Sequence, residues 1–135
     1  MAKMIFINLP VADLPRSTGF YEAVGATKNV QFSDDTASCM VLSETIHVML
    51  LTHDKYRQFT SKTIADAKTV SEVLICISAE NRAAVDLMMA QAEAAGGGID
   101  PCPKQDHGFM YGRSFEDPDG HIWEVMWMDL PALTG

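Results

Sequence analysis

The sequence predicts an α+β fold of two βαβββ modules, each a mixed sheet with its helix on the outer face. Three observations predict it. Short β-rich runs outnumber helical segments, only two helical segments have both a start and a stop signal, and each of these follows one strand and precedes three. That order occurs from about residue 3 to 59, is interrupted by a linker over about 60–70, and occurs again from about 71 to 130. A module with one helix covers one face of its sheet, so the other face is buried elsewhere or lines a cavity.

The opening run KMIFINLPV reads as a strand closed by Pro10. Asp13 then stands at a helix N-cap position with Pro15 in the first turn. Leu14, Thr18, Tyr21 and Val24 recur at helical spacing, and Gly25 supplies the stop. KNVQF, ASCMVLS and TIHVMLLT are the next three strands. The polar stretch HDKYRQFTSKTIADAKTVS follows, in which HDKYRQF has the composition of a short helix, placed as a lid or as a plain connection. EVLICIS opens the second module with β-branched residues. Asn81 caps a helix whose apolar stripe is Ala84, Val85, Met88, Ala92 and Ala95, ended by Gly96 to Gly98. GIDPCPKQ, GFMYGRSF and HIWEVMW complete the set. Between the last two, Asp117-Pro118-Asp119-Gly120 places Asp first, Pro second and Gly fourth, as a type I turn prefers.

Composition excludes several functions. With 10 Lys and Arg against 18 Asp and Glu the net charge is −8, and the basic residues form no cluster, so neither nucleic acid nor an anionic membrane is an expected partner. No segment approaches the roughly 20 apolar residues of a membrane span. The N-terminal apolar run is too short for a signal peptide and is broken by proline. Cys39, Cys76 and Cys102 are odd in number and lack a CxxC spacing, which fits a reducing, cytoplasmic compartment.

One residue stands out. Glu124 is a carboxylate in the middle of the otherwise apolar HIWEVMW strand. Its context, FEDPDGHIWEVMW, together with NLPVADLPRSTGFYEAVG near the start, resembles the vicinal oxygen chelate superfamily: glyoxalase I, extradiol dioxygenases, fosfomycin-resistance transferases and bleomycin-binding proteins. The first stretch resembles the family's strand followed by its DL, S and FY signature, with Val24 where Leu is usual; the second resembles its DPDGxxxEL ending, with Val125 in place of Leu. The resemblance covers roughly residues 3 to 129. It implies sheets that curl around a central cavity, a homodimer, and in the enzymes a divalent metal held by the first and last strands of each module.

Glu124 matches one of those ligand positions. The resemblance places Phe6, Leu50 and Val73 at the other three, with Met49 or Glu72 offered by a slip of one residue. Three apolar residues leave one carboxylate, and useful sites need at least three protein ligands. No cofactor is therefore expected, a divalent metal being the exception the family allows. Strand alternation sends His47 and His121 to the face opposite Glu124, while His107 lies in a loop at the expected cavity mouth.

The expected lining is Phe6, Asn8, Val48 and Leu50 from the first module, and Val73, Ile75, Ile77, Met110, Gly112, Ser114, Ile122 and Met126 from the second. A carboxylate in such a lining is expected to titrate high, hydrogen-bond to Asn8, Ser114 or water, and serve as a general acid or base. Arg113, between Tyr111 and Phe115, is expected to pair with a nearby acid such as Glu116. The function expected is binding of a small, mainly apolar molecule with proton transfer by Glu124. The resemblance keeps two alternatives open: a metal-dependent lyase or extradiol dioxygenase, and a non-catalytic protein that sequesters an antibiotic or other ligand.

Overall fold

The computed structural model describes residues 2–129 and consists of two compact units that divide between Asp66 and Ala67. The first contains β1 (Ile5–Val11), α1 (Leu14–Ala23), β2 (Thr27–Asn29), β3 (Ala37–Val41), β4 (Ile46–Thr52) and α2 (His53–Tyr56). Its strands lie in the order β1-β4-β3-β2. β1 runs parallel to β4 and the other pairs are antiparallel.

Local chemistry explains the first helix. The Asp13 carboxylate accepts the Arg16 N–H at 3.1 Å, satisfying a donor that the helix itself leaves orphaned. At the other end Gly25 adopts φ 108°, and the Ala26 N–H donates back to Tyr21 O at 2.9 Å. α1 buries Leu14, Ser17, Thr18, Phe20 and Tyr21. Against β3, the Thr18 and Ser38 hydroxyls meet at 2.8 Å. KNVQF, expected as a full strand, is one only in part: β2 ends at Asn29 and Val30–Phe32 form a 3-10 turn. The Asn29 side chain accepts the Gln31 N–H at 3.1 Å, a local bond that competes with the ladder.

The second unit contains β5 (Ile75–Ser78), α3 (Arg82–Ala94), β6 (Gly98–Ile99), β7 (Gln105–Asp106), β8 (Met110–Glu116) and β9 (Ile122–Met128). Its order is β5-β9-β8-β6, with β7 also pairing β8. GIDPCPKQ therefore yields two short strands, because Pro101 and Pro103 cannot donate to a ladder. Asn81 caps α3 by accepting the Ala84 N–H at 2.7 Å, and the helix buries Val85, Met89 and Ala92. The polar connection does form a short helix, α2, over His53–Tyr56, capped by the Thr52 hydroxyl.

The turn between β8 and β9 is as its sequence requires. The Gly120 N–H donates to Asp117 O at 3.0 Å, and the buried Asp117 carboxylate accepts the Asp119 and His121 N–H groups at 3.0 and 2.8 Å. Gly120 has φ 92°, and a Cβ there would stand 2.7 Å from Lys68 N and 2.8 Å from the Ala67 carbonyl carbon. The end of the linker thus runs across this turn at backbone contact.

Candidate functional site

Residues paired across neighbouring strands share a face, so register decides which side chains can act together. In the first unit Phe6 pairs with His47 and Asn8 with Met49, whereas Leu9 pairs with Leu50. Leu50 in turn pairs with Ser38, whose hydroxyl contacts α1. Leu50 and Val48 therefore lie under the helix, fully buried, and not beside Phe6 and Asn8 as expected. The helix-free face carries Phe6, Asn8, His47, Met49 and Cys39. His47 is on this face, not the opposite one, and its ring stacks on that of Phe6 at 4.7 Å between centroids.

In the second unit the expected phase holds for β8 and β9 and fails for β5. Met110 pairs with Met128, Gly112 with Met126, Ser114 with Glu124 and Glu116 with Ile122, and these residues share the face away from α3. Across β5, Cys76 pairs with Glu124 and Ile75 with Trp123. Ile75 and Ile77 thus face α3 with Trp123 and Val125, and Cys76 and Ser78 take the places expected of them. Val73 is exposed and precedes β5; alternation assigns Leu74 to the Glu124 face instead.

Glu124 is half-buried between Ile122 and Met126, and among the described residues nothing donates a hydrogen bond to its carboxylate. Ser114, its cross-strand neighbour, is already engaged: its hydroxyl accepts the Cys102 N–H at 3.0 Å and donates to Cys102 O at 3.4 Å. Partial desolvation and the charge of Glu124 push the Cys76 thiol above the ordinary range.

The other candidates are occupied elsewhere. His107 is exposed, with Nε2 3.0 Å from Gln105 Oε1 and its ring beside Phe109. Arg113 pairs with Asp100 at 2.8 Å and Asp86 at 3.1 Å, not with Glu116. Asp86 sits below the carboxylate range because the Tyr111 hydroxyl and then Arg113 donate to it, and Asp100 because of Arg113. A cleft of about 400 Å³ lies beside this network under α3, lined by Asp86, Met89, Glu93, Ile99 and Arg113. It is on the opposite face from Glu124, and its arginine is already paired.

The strand positions at which the family's enzymes hold metal can now be corrected for register: Phe6, Met49, Leu74 and Glu124. In the first unit these positions offer no oxygen or nitrogen donor and in the second only the Glu124 carboxylate, fewer than the three protein ligands such sites use. Among the described residues no three His, Cys, Asp or Glu side chains converge as a metal-binding group.

Two βαβββ-type units, with an acidic residue on the helix-free side of the second, define a glyoxalase-like class of protein. The model of the Glyoxalase/Bleomycin resistance protein/Dioxygenase superfamily matches residues 3–125, spanning both units, and the chain belongs to that superfamily. Members of this family often use a metal. Among solved structures the chain is similar to hypothetical protein SA1046 from S. aureus, at 24% identity and TM-score 0.77, covering 94% of each chain. A glyoxalase/bleomycin resistance protein/dioxygenase family enzyme from Burkholderia phytofirmans PsJN is 19% identical, with TM-score 0.76 over 94% of this chain and 99% of that one. The fosfomycin resistance protein FosX from Mesorhizobium loti is 16% identical, with TM-score 0.71 over 100% and 99%. At these identities the likeness is one of fold. No curated protein matches the chain.

Proposed function

We propose that this protein binds a small, mainly apolar molecule on the helix-free faces of its sheets and uses Glu124 to move a proton on it, without the family's metal. The observation that carries this reading is a half-buried carboxylate with no donor among the described residues, set among Ile122, Met126 and Cys76. A carboxylate held out of water without a partner is costly, so a ligand that offers it a proton or an N–H gains directly. On the first sheet the proposed contacts are Phe6, Asn8 and Met49, the last in place of Leu50; on the second they are Met110, Ser114, Ile122, Met126 and Leu74, the last in place of Val73, with His107 kept at the rim. The homodimer and the cytoplasmic compartment belong to the same proposal, the latter supported by three free cysteines. Among the described residues no helix is long and apolar enough to cross a membrane.

The test is ligand-observed NMR with a panel of small apolar carbonyl compounds in D2O. Wild-type protein is expected to bind members of the panel and catalyse solvent-deuterium incorporation, while Glu124→Gln still binds them and loses the exchange. Equal exchange by both forms removes Glu124 from the chemistry, and binding without exchange by either identifies a sequestering protein. Stoichiometric Ni, Zn, Mn or Fe in the purified protein would overturn the metal-free part.

A further inference from the structure

Among the described residues one buried side-chain nitrogen or oxygen lacks a hydrogen-bond partner: His47 Nδ1. The other buried polar side chains near the sheets are satisfied, Thr18 by Leu14 O and Ser38, Ser114 by Cys102, and Asp117 by its turn. His47 is only 8% exposed, yet it lies on the face of the first sheet that α1 leaves uncovered. The Phe6 ring stacked over it is 52% exposed and belongs to an edge strand. Asn8, exposed on the same face and next but one along β1, makes no side-chain hydrogen bond among the described residues either.

An orphaned buried group is expensive, and a bare acceptor is tolerated more readily than a bare N–H. The less costly tautomer therefore carries its proton on Nε2 and presents Nδ1 as an empty acceptor. Around it stand a hydrocarbon ring, Met49 and Cys39, so the complement is a flat, mostly apolar, uncharged molecule with one N–H or O–H donor at its edge. We propose that Phe6, His47 and Asn8 form a binding subsite for such a molecule, with His47 Nδ1 accepting its donor and the exposed Phe6 side chain as the wall that admits it. Within the reading above, which this proposal rests on, His47 sets how a ligand is oriented on the helix-free face of the first sheet. It is a recognition residue and takes no part in the proton transfer assigned to Glu124.

The experiment compares indole with indene, two rings of the same shape of which only indole has an N–H. Wild-type protein is expected to bind indole about tenfold more tightly, a preference of the size one hydrogen bond to a buried acceptor supplies. In His47→Leu the two affinities converge, and the Tm does not fall, because the variant replaces an unsatisfied polar ring with an apolar side chain of similar size. The same indole preference in His47→Leu, or a marked loss of Tm in that variant, would overturn the proposal. Equal binding of both rings by the wild type overturns His47 as the acceptor while leaving the apolar face as a binding surface. Binding of neither ring removes that surface, and the subsite with it.

Discussion

Gly120 is where one atom decides the most. Its φ of 92° suits glycine, and the Ala67–Lys68 backbone occupies the space a methyl group would need. Gly120→Ala therefore combines left-handed strain with a clash against main chain that cannot rotate away. The expected loss is about 2 kcal/mol or more, visible as a lower midpoint in urea with an unchanged slope. An unchanged midpoint would mean that the linker does not rest on the turn. Gly112 makes the contrast: a Cβ there meets nothing closer than 3.7 Å, so alanine is expected to be accommodated. The DPDG sequence made the turn itself legible, since each residue has a local reason to be there. The linker's approach is not legible, because it depends on backbone distant in the sequence, at the start of the second unit.

At the scale of elements, α3 is fastened to its sheet by charges on one side. Arg82 pairs with Asp106 at 2.9 Å and lies over the Tyr111 and Trp127 rings, while Arg113 ties Asp86 of the helix to Asp100. Hydrogen bonding by the Arg82 guanidinium holds Asp106 down, to about 2 from the ordinary 3.8. A depressed carboxylate contributes stability that is complete above its unfolded pKa and is lost as pH falls through the folded one. The window for Asp106 is therefore from about pH 4 down to about pH 2, and Asp86 and Asp100 shift in the same direction. Thermal unfolding at pH 7, 4 and 2.5 is expected to give a flat upper range and a fall below pH 4. Arg82→Leu should lessen that fall, modestly because the pair is solvent-exposed. An equal acid response in the variant would remove Arg82 as its source. Elements of this kind were visible in the sequence through their caps, yet strand phase was visible only where something fixed it. On β8 and β9 the tight turn sets the pairing, so Ser114, Ile122 and Met126 fell on the Glu124 face as read. IHVMLLT and EVLICIS are apolar on both faces, and a period of two carries no information when both phases look alike. For that reason the sequence does not reveal that Leu50 lies under the helix, that His47 lies on the helix-free face, or that Leu74 and not Val73 shares the face of Glu124.

For the whole molecule, exposed apolar side chains recur at corresponding ends of two strands. β1 and β5 each terminate their own sheet, and Met4, Ile5 and Val73 at or just before their starts are about half exposed. An edge strand left both unpaired and apolar is a template for further pairing, and proteins that remain monomeric guard such edges with charge or proline. The net charge of −8 opposes unspecific association, so contact limited to these edges is the arrangement that satisfies both facts. A second copy of the chain presents the same two edges, and a closed pair covers them without leaving a template for a third. Sedimentation velocity at micromolar concentration is therefore expected to give a dimer. Ile5→Lys combined with Val73→Lys, neither in the proposed subsite, should convert it to a monomer with an unchanged far-ultraviolet circular dichroism spectrum. A wild-type protein that sediments as a monomer throughout that range would remove these edges as a contact between copies.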